Sequence, residues 1–234
     1  CIPEYYPTRT EARIFDQHAH DMAKHLPQGC VLIDLGAGNC EKAVRLFPVF
    51  EPRRYVAVDI SVDFLKVALE RCQRQFPSLE ISGVGMDFSS ELKLPAALAL
   101  NPSQARVMFY PGSSIGNFTP EEALLFLKQV QSTCTVVEWG GLLIGVDLVK
   151  SKAVLEAAYD DALGITAAFN RNMLLHFNTL ADTNFKLDDW KHIGLYNTEL
   201  SRIEMHLEAL RDLTVSWEGG ERRFVEGERI HTEN

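Results

Sequence analysis

CVLIDLGAGN, residues 30–39, is an apolar run that ends in a glycine-alanine-glycine turn. The apolar residues do not alternate with polar ones, which is the pattern of a strand buried on both faces of a sheet. Glycines directly after such a strand favour a tight turn into a helix. This stretch therefore predicts a buried strand, a tight turn and a following helix, which is the first step of an α/β domain.

Apolar runs of this kind, each followed by a helical pattern, recur along the chain to about residue 150. Four further apolar runs predict strands at 54–61, 79–88, 105–110 and 140–149. Helical patterns separate these runs, and strand–helix alternation indicates parallel βαβ units with right-handed crossovers. We therefore expect a parallel sheet with helices on both faces, which binds ligands at the carboxyl ends of its strands.

The helices have recognisable ends. Apolar residues at helical spacing predict a first helix from about Glu11 to Leu26. The segment 41–50 is predicted to be a helix that breaks near Pro48. A later helix should begin with Thr119 as its N-cap and Pro120 in the first helical position.

After about residue 150 the pattern changes. Helical segments are predicted within 152–180 and at LDDWKHIG, residues 187–194, followed by alternating residues over 202–217 and a turn at EGGE. We interpret 1–150 as a ligand-binding core with an N-terminal helix, and 151–234 as a helix-and-hairpin insertion. The chain has no initiator Met and lacks the strands that usually complete such a sheet, so we expect a longer natural protein at both ends.

Composition excludes several classes of protein. A net charge of −9 and a pI near 5.3 argue against a nucleic-acid binder, and no apolar run reaches the ~18 residues of a membrane span. The five cysteines lack metal-ligand spacing, which favours reduced thiols in the cytoplasm. We expect no metal, because His18, His20 and His25 lack a third ligand, and we expect a monomer.

The residues that follow the strands indicate an adenosine-containing ligand. Gly36 and Gly38 form the first turn, and Asp59, at the end of the second strand, can accept hydrogen bonds from ribose hydroxyls. Asp87 ends the third strand and is followed by Phe88; this carboxylate and this ring suit the amino group and face of adenine. Strand capping by Asp59 and core packing by Phe88 remain alternatives.

The residues of this turn also favour one of two ligands, a dinucleotide or S-adenosylmethionine. A dinucleotide fingerprint needs a third small residue for close helix–strand packing, and Glu41 occupies that position. S-adenosylmethionine has no phosphate, and Lys42 can pair with its carboxylate. No phosphate-binding P-loop motif is present. The residues thus predict a Rossmann-like, class I methyltransferase fold.

FYPGSSIGNFTPEEA, residues 109–123, lies where this fold class places methyl donor and acceptor. Its glycines allow a ligand to approach the backbone. Asn117 offers two donors and an acceptor in a short side chain. A local turn or a helix cap is the alternative role of Asn117.

Seven ordered segments closely resemble the histidine-specific N-methyltransferases of ergothioneine biosynthesis, which depend on S-adenosylmethionine. The segments are PEYYPTRTEA, LIDLGAGNCEK, PGSSIGNFTPEEA, GVDLVK, AYDDALGITAAFNRN, RIEMHL and IHTEN. They cover nearly the whole chain in the same order. Members of this family extend further at both ends, and they include a tyrosine upstream and a serine downstream of these segments.

The resemblance implies the residues of a site. Those that would hold S-adenosylmethionine are Gly36, Gly38, Lys42, Asp59, Asp87 and Phe88. Asn117 and Tyr159 would grip the substrate carboxylate, with Gly112 near the amine; these three are the implied catalytic residues. Those that would line the rest of the pocket are Tyr5, Phe169, Met205 and Glu233, the last holding the imidazole. A packed Tyr5 and a core Met205 are the ordinary alternatives.

The activity that the resemblance implies is trimethylation of the α-amine of L-histidine to hercynine. One alternative is an enzyme of the same family with another amino-acid acceptor, such as a tryptophan derivative. Another is an inactive module that binds S-adenosylmethionine or an amino acid. Histidine-dependent methyl transfer separates the enzyme from the module, and the accepted amino acid separates the two enzymes.

Overall fold

A computed structural model describes residues 2–101, 103–134 and 140–233. These residues form two compact units. The first unit is 7–147, and the second contains the residues from Leu148 onward together with those that precede Pro7. Cys1, one of the five cysteines, lies outside the described residues, and so does Trp139.

The first unit is built on a five-stranded parallel sheet. Its strands are β1 (Val31–Leu35), β2 (Arg54–Asp59), β3 (Glu80–Gly85), β4 (Arg106–Tyr110) and β5 (Gly141–Ile144). They lie in the order β3-β2-β1-β4-β5. All five residues of β1 are buried at the centre of this sheet, as the unbroken apolar run of the sequence predicted. The strand predicted at 140–149 is shorter than expected, because β5 ends at Ile144.

Helices cover both faces of this sheet. They are α1 (Pro7–Ala23), α2 (Glu41–Phe50), α3 (Val62–Gln75) and α4 (Pro120–Cys134). Apolar residues of the first three helices pack in one core with Leu32 and Phe109 of the sheet. Apolar residues of α4 pack in a second core with Ile33 and Met108. Neighbouring strand residues point to opposite faces, so β1 and β4 contribute to both cores.

Two helix predictions were wrong at their ends. The first helix begins at Pro7 and ends at Ala23, since proline suits a first helical turn, whose N–H groups lack helical partners anyway. The break near Pro48 does not occur, because α2 continues to Phe50. Phe47 and Phe50 are both buried and hold this last turn in place, and the N–H of Glu51 donates to Phe47 O at 2.9 Å.

The second unit combines two helices with antiparallel strands. Its elements are α5 (Lys152–Tyr159), α6 (Ile165–Ala181), β6 (Trp190–Asn197), β7 (Arg202–Ala209), β8 (Leu213–Trp217), β9 (Gly220–Phe224) and β10 (Arg229–Glu233). One sheet has the order β10-β7-β6, and β8 and β9 form a hairpin. The predicted helices within 152–180 and the hairpin around EGGE are confirmed.

The helix predicted at 187–194 was wrong. A single 3-10 turn, Leu187–Asp189, leads into strand β6. Trp190 and His192 are buried while Lys191 between them is exposed, which is the two-residue period of a strand. All eight residues of β6 pair with β7, and this long-range pairing overrides the local pattern.

Two further observations concern the chain as a whole. No helix in the described ranges is long and apolar enough to cross a membrane. The cysteines that the structure describes are buried free thiols: Cys30, Cys40, Cys72 and Cys134. Burial raises the pKa of the Cys30 thiol to about 11, so this thiol is the unreactive neutral form at neutral pH.

Candidate active site

The turn after β1 is tied to the end of β2 by Asp59. Gly36 and Gly38 both have positive φ, +72° and +52°, a region that favours glycine. The N–H of Gly38 donates to Asp59 Oδ2 at 2.8 Å, and the N–H of Ser61 donates to Oδ1 at 2.8 Å. This carboxylate therefore joins two loops at the carboxyl edge of the sheet.

Phe88 lies against this turn. A Cβ added to Gly36 would be 3.6 Å from its ring, and the ring also makes an edge contact with Tyr110. Asp87 is exposed and lies two residues beyond β3, so the prediction that it ends this strand was wrong. The hydroxyl and the N–H of Ser89 donate to Asp87 and hold the pKa of its carboxyl below the usual value.

Lys42 and Gly112 meet at Glu11, a residue that sequence reasoning did not single out. Glu11 Oε2 lies 2.6 Å from Lys42 Nζ, and Oε1 accepts a hydrogen bond from the N–H of Gly112. Gly112 has a φ of +84°, and a Cβ there would be 2.8 Å from Lys42 Nζ. The backbone conformation at 112 thus favours glycine, and a larger residue there would also displace the Lys42 ammonium group.

The stretch 109–123 forms a loop and a capped helix. The N–H of Ser113 donates to Gly145 O at 3.1 Å, which holds the loop against the end of β5. A 3-10 helix, Ser114–Asn117, follows, and Asn117 is exposed at its end. The N-cap prediction is confirmed: the N–H of Glu122 donates to Thr119 Oγ1 at 3.2 Å, and the N–H of Thr119 donates to Glu122 Oε2 at 2.8 Å.

Asp34 is a second acidic residue of the first unit that sequence analysis overlooked. It is buried within β1 and accepts a hydrogen bond from the Tyr55 hydroxyl at 2.7 Å. Burial raises the pKa of Asp34 to about 7, against the lowering effect of the Tyr55 hydrogen bond. A single hydrogen bond does not fully replace the water that this carboxylate loses.

In the second unit, Tyr159 is held by its backbone and by its ring. The residue ends α5, and its ring makes an edge contact with Tyr5, with centroids 5.6 Å apart. His192 Nε2 lies 2.7 Å from the carbonyl oxygen of Tyr159. Asn170 Nδ2 lies 3.0 Å from His192 Nδ1. A buried chain of hydrogen bonds therefore fixes the end of α5.

The segment between α5 and α6 is fixed by Asp161. Its buried carboxylate accepts hydrogen bonds from the N–H groups of Ile165 and Thr166, at 3.0 and 2.7 Å. Burial raises its pKa, but these donors outweigh burial and lower it to about 2. The carboxylate also lies at the positive end of α6, which favours a negative charge. Asp161 thus caps the first turn of α6.

The remaining predicted pocket residues lie on different elements of this unit. Met205 on β7 is buried, and Glu233 on β10 is its cross-strand partner. Phe169 on α6 is 69% exposed, an unusual value for a large aromatic residue. The structure therefore brings Met205 next to Glu233, and Tyr5 next to Tyr159, within this unit.

Glu204, His206 and His231 form a group with metal-ligand spacing that sequence analysis missed. The Glu204 carboxylate already accepts hydrogen bonds from Arg202 Nε at 2.7 Å and Asn197 Nδ2 at 3.1 Å. Burial raises the pKa of Glu204, but these donors and His206 lower it to about 2. A metal ion here would compete with these partners.

The sheet order, the glycine turn after β1 and the acid at the end of β2 together define a Rossmann-like fold that binds an adenosine-containing ligand at the carboxyl ends of its strands. The chain belongs to the family described as histidine-specific methyltransferase, SAM-dependent, whose model matches residues 1–234. Its methyl donor is therefore S-adenosylmethionine, and it acts on a small-molecule amino acid.

Three relatives illustrate the family. A histidine N-alpha-methyltransferase of Mycolicibacterium smegmatis is 35% identical, over 96% of this chain and 72% of its own length. Ergothioneine biosynthesis protein 1 of Neurospora crassa is 32% identical, over 93% of this chain and 25% of its own length. A 4-dimethylallyltryptophan N-methyltransferase of Arthroderma benhamiae is 27% identical, over 87% of this chain and 63% of its own length.

Proposed function

We propose that this enzyme transfers methyl groups from S-adenosylmethionine to the α-amine of L-histidine, up to three times, to give hercynine. The observation that carries this proposal is the similarity of almost the whole chain to a histidine N-alpha-methyltransferase, together with a family-model match that spans residues 1–234. The more distant tryptophan-derivative enzyme supports a similar chemistry on an amine.

The donor would occupy the turn after β1. We assign Gly36 and Gly38 to its backbone contacts, Asp59 to the ribose and Lys42 to its carboxylate. Each Asp59 oxygen accepts one backbone N–H and keeps a second lone pair for a hydroxyl. Asp87 and Phe88 would contact the adenine, since the Phe88 ring lies next to Gly36.

The family resemblance suggests which residues would bind the acceptor amino acid. Asn117 and Tyr159 would bind its carboxylate, and the exposed Gly112 would lie near its amine. The residues assigned to its side chain are Tyr5, Phe169, Met205 and Glu233. The cross-strand pairing of Met205 with Glu233 supports an apolar wall next to an acceptor for an imidazole N–H. The ring contact of Tyr5 with Tyr159 supports their membership of one pocket.

The reaction requires the protein chiefly to position the acceptor amine and the methyl donor. The donor supplies an electrophilic methyl group on a sulfonium. The amine must lose its proton to solvent before its lone pair forms the new N–C bond as the S–C bond breaks. Holding the amine in line with the methyl carbon reduces the entropic part of the barrier. The third product has no lone pair on nitrogen, so methylation stops there.

We also propose which part of the chain binds each substrate and in which compartment the enzyme acts. Residues 1–150 would hold the donor, and 151–234 would contribute most contacts to the acceptor. No metal enters this reaction scheme. The buried free thiols and the acidic composition support a cytoplasmic enzyme, and we propose that it acts as a monomer.

Glu233→Ala tests the assignment of the imidazole. Loss of the partner of a buried N–H costs about 1–3 kcal/mol, so L-histidine affinity should fall roughly five- to 150-fold, while S-adenosylhomocysteine affinity stays unchanged. Glu221→Ala, an exposed change on the hairpin of the same unit, is the matched control. Isothermal titration of both ligands measures the effect, and equal histidine affinity in the two variants would refute the assignment.

A further inference from the structure

Glu11 joins three elements at the edge of the first unit. Its carboxylate contacts Lys42 of α2 through one oxygen and the N–H of Gly112, after β4, through the other. The Glu11 side chain is only 14% exposed. A second ion pair, Asp16 with Arg45, links the same two helices, but its side chains are 60% and 47% exposed. The Glu11 pair is therefore the inward one of two similar pairs.

Two glycines lie close to the charged ends of Glu11 and Lys42. A Cβ on Gly112 would be 2.8 Å from Lys42 Nζ, and a Cβ on Gly145 would be 2.7 Å from Glu11 Oε1. Two glycines thus border an anion and a cation that lie side by side. Such a pair complements a small zwitterion, whose ammonium and carboxylate are attached to one carbon atom.

Two other carboxylates of this region have other roles. Asp34 is buried and accepts a hydrogen bond from the Tyr55 hydroxyl. Asp59 joins two loops through backbone N–H groups and is assigned to the ribose. Among the acidic residues that the structure describes here, Glu11 is the one in direct contact with Lys42.

We propose that Glu11 binds the α-ammonium group of S-adenosylmethionine while Lys42 binds the α-carboxylate. This inference rests on the proposed donor site and adds the residue that recognises the charged amine. Glu11 and Lys42 exchange part of their mutual contact for the two ends of the zwitterion, so neither charge loses its partner. The Glu11 hydrogen bond to Gly112 also keeps the loop of the acceptor site in place.

Three ligands distinguish a role of Glu11 in binding the α-ammonium group from a purely structural role. S-adenosylhomocysteine has the whole amino-acid end, its desamino analogue lacks only the α-amine, and 5′-methylthioadenosine lacks both charged groups. Isothermal titration of the wild-type chain should give roughly tenfold or greater weakening for the desamino analogue relative to S-adenosylhomocysteine. Equal affinity for these two ligands would overturn the proposal without any variant.

Glu11→Gln should weaken S-adenosylhomocysteine roughly ten- to hundredfold and leave the desamino analogue and 5′-methylthioadenosine unchanged. Asp16→Asn removes the other ion pair between the same helices and should change none of the three. If Glu11→Gln weakens all three ligands alike, or weakens none, Glu11 does not bind the amine.

Asp59→Asn distinguishes failure of this inference from failure of the donor site itself. The proposed site predicts that this variant weakens all three ligands, because each contains the ribose. If Asp59→Asn leaves every affinity intact, the donor site is misplaced. If it weakens all three while Glu11→Gln weakens none, the site stands and only the role of Glu11 is wrong.

Discussion

The hydrogen bonds behind Tyr159 allow a stability prediction with a worked magnitude. Asn170 and His192 are 2% and 4% exposed. The Asn170 amide nitrogen is a donor, so His192 Nδ1 accepts from it at 3.0 Å. His192 is then the neutral tautomer that carries its proton on Nε2, and it donates to the Tyr159 carbonyl at 2.7 Å.

Asn170→Ala removes the donor and leaves His192 Nδ1 buried without a partner. An unsatisfied buried acceptor costs about 1–3 kcal/mol, and the space left by the amide adds to that cost. We expect the free energy of unfolding to fall by at least this amount. Asn172→Ala, two residues along the same helix and exposed, should stay within about 0.5 kcal/mol of wild type.

Urea unfolding followed by tryptophan fluorescence measures this difference, because Trp190 is buried on the same strand as His192. A second variant tests the tautomer. Asn170→Asp puts a pure acceptor opposite Nδ1, which cannot donate in this tautomer. This variant should therefore be destabilised at neutral pH at least as much as Asn170→Ala. The reasoning is refuted if Asn170→Ala matches Asn172→Ala.

Three more predictions concern the first unit. Burial raises the Asp34 pKa to about 7, so the native state keeps a proton that the unfolded chain releases near pH ~4. The free energy of unfolding should therefore fall as pH rises between these two values. Urea unfolding of Asp34→Asn at several pH values should show a shallower fall. Thr119→Ala should lower the free energy of unfolding by about 1 kcal/mol, and Thr119→Ser should not. Gly112→Ala should cost about 1–2 kcal/mol from its left-handed backbone and weaken S-adenosylhomocysteine, whereas an unchanged melting temperature and affinity would contradict the observed φ.

Much of the first unit could be predicted because its signals are local. β1 could be predicted from its unbroken apolar run, and Thr119 could be predicted as an N-cap because Glu122 follows three residues later. The strand β6 could not be predicted in this way, because Asp188 and Asp189, which suit the first turn of a helix, directly precede it. It becomes a strand by pairing with β7 at every residue, and such long-range pairing leaves little trace in a short window of sequence.

The candidate site divides in the same way. Gly36, Gly38 and Asp59 were selected from their places at strand ends, and Asp59 contacts Gly38; their role in binding the donor stays a prediction. Glu11 was missed because its partner Gly112 is 101 residues away, and nothing in a helix-forming segment marks such a contact. Asn170 and His192 were missed because the strand that carries His192 had been predicted as a helix.

The most direct test of the proposed function is mass spectrometry of L-histidine incubated with the enzyme and S-adenosylmethionine that carries a deuterated methyl group. The proposal predicts successive gains of one, two and three labelled methyl groups, all on the α-nitrogen, and no gain on L-tryptophan or on histamine, which lacks the carboxylate. Labelled tryptophan with unlabelled histidine, or a methyl group on the imidazole ring, would contradict it.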